Sequence, residues 1–151
     1  MAQSIRRILA PTDFSDGSRG ALEHAVCLAE QLGSELVLLH VGDPVDGEGG
    51  GPSPRLDIYH RARAEQQQIR QGKLDALVGG LADAHPDITV EGHILGGVPH
   101  EVICTAAEAL KTDMIVMGTS GLTGLSHFLI GSTAERVVRV ARVPVLTVRA
   151  S

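Results

Sequence analysis

The chain has 151 residues, 43% apolar and 21% charged, with a formal net charge of −5. This length fits one domain, 1–151, on a prior of roughly 100–200 residues per domain, and at that size roughly 68–70% of the unfolded surface is buried without a disulfide or metal staple. The acidic balance and the scarcity of aromatics (Phe14, Tyr59 and Phe128, no Trp) exclude a surface built to coat nucleic acid or stack bases, and no apolar run approaches the ~18 residues of a membrane span.

The first element, "IRRILAPTD" (5–13), has the aliphatic run of a buried strand ended by a proline. A helix over 15–33 places Ala21, Leu22, Ala25, Leu28, Ala29 and Leu32 on one stripe, with Gly33 as its stop. "SELVLLHVG" (34–42) is a second apolar strand. The Gly- and Pro-rich stretch 43–57 predicts a flexible surface loop. A long polar helix follows from about 57 to 84, its buried stripe marked by Ile69, Leu74, Leu77, Val78 and Leu81. "DITVEGHILGG" (87–97) alternates apolar and polar residues and predicts a strand with one wetter face, at an edge of the sheet. A helix over 98–112, a strand "DMIVMG", a helix over 127–141 and a strand "VPVLTVR" (143–149) complete the chain.

Five strands alternating with four amphipathic helices predict an α/β fold, a mostly parallel doubly wound sheet covered on both faces. Ligands of such sheets bind beyond the carboxyl ends of the strands, where strand order reverses. The candidate positions are therefore Pro11–Asp13, Val41–Asp43, Gly96–Gly97 and the segment from Met117 onward. That last segment, "MGTSGLTGLSHFLIGSTAERV" (117–137), holds Gly118, Gly121, Gly124 and Gly131 before a Ser132-Thr133 pair. Glycine lets a ligand approach backbone N–H groups with no Cβ in the way, and a helix N-terminus adds the positive end of its dipole. Together they make an anion site, most often for phosphate, with Ser132 and Thr133 as hydroxyl donors and one of them as a cap. The alternative is that the glycines serve only the turn and the hydroxyls only the cap. Neither G-x-x-x-x-G-K-[ST] nor G-x-G-x-x-G occurs.

These residues carry a family resemblance. "ILAPTDFSDGSRGALEHA", "LVLLHV", "DMIVMGTSGLTGLSHFLIGSTAERVV" and "VPVLTVR" resemble the universal stress proteins over essentially the whole chain, and Gly-x2-Gly-x9-Gly-Ser is the signature of their ATP-binding branch. The resemblance implies a sheet of order 3-2-1-4-5 of the adenine-nucleotide alpha hydrolase-like kind, a homodimer through the last strand (143–149), and a nucleotide-dependent stress-response switch or sensor. It further implies that Asp13 faces the nucleotide with Pro11 and Thr12 shaping that wall. Val41 would hold adenine through its backbone, and Met117 and Gly118 would border ribose and phosphates. Gly121, Gly131, Ser132 and Thr133 would hold the phosphate chain of ATP or another adenine nucleotide, with Mg2+ carried by the phosphates. Ser120 and Leu122 stand where family members often carry basic residues, which implies weaker triphosphate binding or a preference for fewer phosphates.

Two rival readings use the same fold: a slow ATPase or nucleotidyl transferase, and a dimeric interaction module with no nucleotide. No catalytic residue is assigned, because no general base stands out in the loop and no Ser-His-Asp or Cys-His set is suggested. The seven histidines include no HxxxH or HExxH pair, so no protein metal site is assigned. Cys27 and Cys104, without CxxC spacing, read as reduced core thiols. The opening apolar run is far too short for a signal peptide, so the expected location is the cytoplasm, with neither nucleic acid nor membrane as a partner.

Overall fold

Ile8, Leu9 and Ala10 of the first strand and Leu36, Val37, Leu38 and Leu39 of the second expose at most 2% of their surface. Strands buried on both faces need helices on both faces, which crossover connections in a parallel sheet supply. The computed structural model describes residues 4–44, 54–120 and 130–149. In chain order these form β1 (Arg7–Pro11), α1 (Asp16–Leu32), β2 (Glu35–Gly42), α2 (Pro54–Ala84), β3 (Val90–Gly96), α3 (Pro99–Ala109), β4 (Met114–Gly118), α4 (Ser132–Val140) and β5 (Val145–Val148). Every strand pair is parallel and the order is β3-β2-β1-β4-β5, the architecture expected from the sequence.

Side-chain alternation along the strands divides the core. Ile8, Ala10, Leu36 and Leu38 pack with Leu22, Ala25, Val26 and Ala29 of α1 and Leu74 of α2. Leu9, Val37, Leu39, Ile115 and Met117 face the other way, against Ile103, Ala106 and Ala107 of α3 and Ala134 and Val137 of α4. From β1 the chain moves outward to β2 and β3, then returns to place β4 on β1's other side. Strand order therefore reverses between β1 and β4, and their carboxyl ends flank the crevice.

Several local expectations need correction. Leu32 is half-exposed, and Val26 is buried in the α1 stripe instead. Ile69 is 60% exposed while Leu74 is buried. At 31 residues α2 is about 46 Å long, nearly twice the ~26 Å of an eight-residue strand, so its amino-terminal half extends beyond the sheet. That helix begins at Pro54 rather than 57, since proline suits a first turn, and residues 45–53 of the expected loop lie outside the described residues. α4 begins at Ser132, not at 127; Ile130 is not helical and 127–129 lie outside the described residues. Gly33 does end α1 in the left-handed region, at φ 68°. β3 and β5 are the sheet edges, as expected. Among the described residues no helix is long and apolar enough to cross a membrane.

Candidate functional site

A cavity of about 280 Å3 opens at the strand reversal. Pro11, Thr12 and Asp13 reach it from the end of β1, Leu39 and Val41 from β2, and Met117, Gly118, Thr119 and Ser120 from β4. Pro99 and Ile103 of α3 and Gly131, Ser132, Thr133 and Ala134 of α4 close the other side. Every residue that the family resemblance assigns to the nucleotide lines this one cavity except Gly121, which lies outside the described residues; of the other strand-end candidates, Gly42, Asp43 and Gly96 line a second cavity and Gly97 lines neither. The sequence reading missed the contribution of α3. Its available signal was a proline, Pro99, two residues after the Gly96-Gly97 strand end, which starts a helix at the same end of the sheet.

Local hydrogen bonds set the wall formed by β1. The Thr12 N–H donates to the Leu39 carbonyl (2.8 Å), and the Thr12 and Ser18 hydroxyls pair at 3.2 Å. The Ser15 N–H donates to Asp13 Oδ1 (3.0 Å), and Ser15 caps α1 by accepting from the Ser18 N–H. The hydroxyls of this first turn thus serve the turn and helix, while Asp13 also reaches the cavity.

The glycines have a packing duty that the sequence did not reveal. A Cβ on Gly118 would sit 2.9 Å from the Gly17 carbonyl oxygen, and one on Gly17 would sit 2.6 Å from that of Ser120. The first turn of α1 therefore rests backbone to backbone on the end of β4. Gly131 donates its N–H to Thr119 O at 2.6 Å, and a Cβ there would lie 2.9 Å from the same oxygen. Thr119 and Gly131 form a neck through which the chain leaves β4 and returns to α4.

The expectation that Ser132 or Thr133 caps α4 is overturned. Gly131 is the N-cap, in extended conformation, and no side chain caps the helix. Ser132 and Thr133 occupy its first turn instead, because the neck places Gly131 at the boundary. α3 likewise starts at Val98–Pro99 with no side-chain cap. Two helix N-termini, each carrying about +0.5 charge, therefore border the cavity with no side-chain cap hydrogen bond, although each has a glutamate in its first turn, Glu101 and Glu135. Asp13 is the one ionisable side chain among the described lining residues. Between Lys111 and Arg136 the sequence contains no Lys or Arg. An anion here would be met by backbone N–H groups, helix dipoles and hydroxyls.

A second cavity, about 490 Å3, lies between the outer half of α2 and the ends of β2 and β3. Its arginines hold the exit of β2: Arg70 pairs with Asp43 at 3.0 Å and Arg63 donates to the Pro44 carbonyl.

The two thiols differ from the expected pair of core cysteines. Cys27 is exposed on the outer face of α1, and only Cys104, on α3, is partly buried, packed against the core. Burial, aided by the Glu108 carboxylate, pushes the Cys104 thiol above its ordinary range. Since the thiolate is the nucleophile, iodoacetamide at pH 8 should label Cys27 about tenfold faster than Cys104, read by peptide mass spectrometry.

Comparison with known proteins bears on the same architecture. The universal stress protein family model matches residues 4–149. Universal stress protein MJ0531 of Methanocaldococcus jannaschii is 33% identical over 95% of this chain and 82% of its own length. MJ0577 of the same organism is 29% identical over 99% of this chain and 98% of its own. The solved MJ0577 structure superposes with a TM-score of 0.74, covering 97% of this chain and 96% of that one. A universal stress protein in complex with cAMP shares the fold at 23% identity, with a TM-score of 0.64 over 99% of this chain and all of that one. A family match over nearly the whole chain, on the expected strand order, leaves one assignment: the chain belongs to the universal stress protein family.

Proposed function

We propose that this protein binds an adenine nucleotide in the cavity between β1 and β4 and acts as a dimeric, nucleotide-dependent stress-response switch, with ATP as the triphosphate form. The carrying observation is the uncapped N-terminus of α4 at the strand-reversal cavity. A helix start without a side-chain cap leaves N–H donors and a positive dipole end for an anion, and phosphate is the usual one. In this reading Val41 holds adenine through its backbone, Met117 and Gly118 border the ribose and phosphates, and Gly121, Gly131, Ser132 and Thr133 hold the phosphate chain. Pro11, Thr12 and Asp13 shape the opposite wall. The cAMP complex of a related protein is a precedent for the fold.

Mg2+ prefers oxygen ligands and retains much of its hydration. The lining offers one carboxylate, Asp13, together with hydroxyls, which fits a magnesium ion held mainly by the phosphates. With no Lys or Arg in 112–135, the ion is also the main source of fixed positive charge for a triphosphate.

The test is acid extraction of the freshly purified protein with chromatography of the released nucleotide, followed by calorimetry. An adenine nucleotide is expected in the extract. ATP affinity should fall about tenfold when Mg2+ is chelated, the equivalent of ~1.4 kcal/mol, with AMP affinity unchanged. An empty extract and no calorimetric heat would leave the interaction-module reading. Sustained phosphate release would move the assignment to an ATPase.

A further inference from the structure

Phe14 follows Asp13 and has φ 63°. A bulky L-residue in the left-handed region is an outlier that persists only where its surroundings over-determine it. Its N–H donates to the Thr12 hydroxyl at 3.1 Å. Its ring lies 4.6 Å from the His40 imidazole, tilted by 32°, and Lys73 Nζ sits 5.7 Å from the ring centroid.

His40 is itself unusual. It alternates with Leu39 and Val41 and so points to the α1/α2 side of the sheet, where its strand neighbours Leu36 and Leu38 are apolar. Only 8% of its surface is exposed. Nδ1 lies 2.8 Å from the Thr12 carbonyl oxygen, which can only accept, so Nδ1 carries the proton. Nε2 is buried with no partner among the described residues. A core strand position that keeps a half-satisfied imidazole, where leucine would pack without that cost, has a use for the Nδ1–H.

That use is visible in the turn. Thr12 is held by its N–H on Leu39, by its hydroxyl on Ser18, and by its carbonyl on His40. Residues 12–14 are thus clamped, with His40 holding them from the side of the sheet away from the cavity, while Asp13 reaches the cavity. If Phe14 relaxed to an extended conformation, the Asp13 carboxylate would swing with it.

We propose that His40 and Phe14 are positioning residues of the nucleotide site: the His40 Nδ1–H on the Thr12 carbonyl, together with the left-handed Phe14 packed beside it on the far side of the sheet, holds the Thr12–Asp13–Phe14 turn and aims Asp13 into the cavity. The proposal rests on the nucleotide reading above. Neither residue needs to touch the ligand.

The test is Mg2+–ATP calorimetry on parent and variants at a temperature where circular dichroism shows each fully folded. His40→Leu keeps the apolar volume and removes the donor, and should raise the ATP Kd about tenfold, the effect of one well-placed hydrogen bond. His40→Asn, whose amide N–H reaches for the same carbonyl, should stay within about threefold of the parent. Phe14→Gly adopts positive φ freely, so it should keep the fold yet weaken ATP binding about tenfold, because glycine no longer confines residues 13–14 to the left-handed turn. Should His40→Leu not fold, Phe14→Gly decides alone. Parent-like affinity in the folded variants, or equal loss in His40→Asn and His40→Leu, overturns the positioning role while the nucleotide reading stands. A parent with no ATP heat overturns both.

Discussion

Mg2+–ATP at a hundredfold excess over its Kd should raise the melting temperature of the parent chain by about 5–10 °C, and Gly131→Val should remove most of that rise. A ligand specific to the native state stabilises by RT ln(1 + [L]/Kd), about 2.7 kcal/mol at that excess. For a domain near 150 residues each kcal/mol moves the midpoint by roughly 2–4 °C. The substitution acts at the neck: a Cβ at 131 would meet Thr119 O at 2.9 Å, a backbone atom that cannot yield cheaply, and would disturb the hydrogen bond that aligns α4 with the end of β4. Overpacking of this kind should cost about 2 kcal/mol in the unliganded protein as well. Ser132→Ala separates the two effects, because Ser132 is exposed in the first turn of α4 and does not cap it. It should leave the ligand-free midpoint within about 1 °C, since exposed substitutions cost little, and roughly halve the ATP shift. A parent whose midpoint does not move with Mg2+–ATP would mean that the neck glycines serve chain geometry alone.

Thr147→Pro should convert a dimer into a monomer, halving the mass measured by light scattering at tens of micromolar. β5 is an edge strand, and all four of its residues are partly exposed. Val138 and Val140 on the adjoining α4 are 50% and 59% exposed. An apolar edge of this kind is an association surface unless it is covered. Toward β4, Pro144 and Val148 present their carbonyls to the N–H groups of Ile115 and Thr119. Alternation along a parallel ladder then turns the N–H of Thr147 outward, to the free edge. Proline there deletes a donor that only a second copy would use, and edge positions with outward N–H groups tolerate it. Val145 is a poorer probe, because its side chain packs into the core beside α3 and α4 and a charge there would injure the monomer. A monomeric parent, or a Thr147→Pro protein of unchanged mass, would exclude pairing through β5.

Much of this architecture follows from periodicity. The continuous apolar runs of β1, β2 and β4 can be satisfied only between two helical layers, and short right-handed crossovers leave few strand orders to choose from. The positions of Asp13, Val41 and Met117 at strand ends, and of Gly131, Ser132 and Thr133 at a helix start, were legible for the same reason. Strand ends and helix starts are punctuated by Pro, Gly, Asp and hydroxyl residues. The sequence by itself thus determined the fold class, the end of the sheet on which a site forms, and, α3 apart, the chain segments that meet there.

Only the tertiary structure decided what each of those residues is for. Gly118 must lack a Cβ because Gly17, a hundred residues earlier, crosses it, and no local pattern records a contact of that separation. Ser132 and Thr133 looked like caps but sit inside the helix, since a hydrogen bond from Gly131 to Thr119 moves the boundary. Ile69 was expected on the stripe of α2 but lies about 140° around the helix from Leu74, so it faces away while its neighbour Arg70 meets Gly42. His40 is hidden in the apolar run of β2, and only the turn at Thr12–Phe14 lying against it gives it a distinct environment. Local sequence encodes periodicity and punctuation, whereas the burial of a particular side chain and the partner of a particular N–H depend on residues far away in the chain.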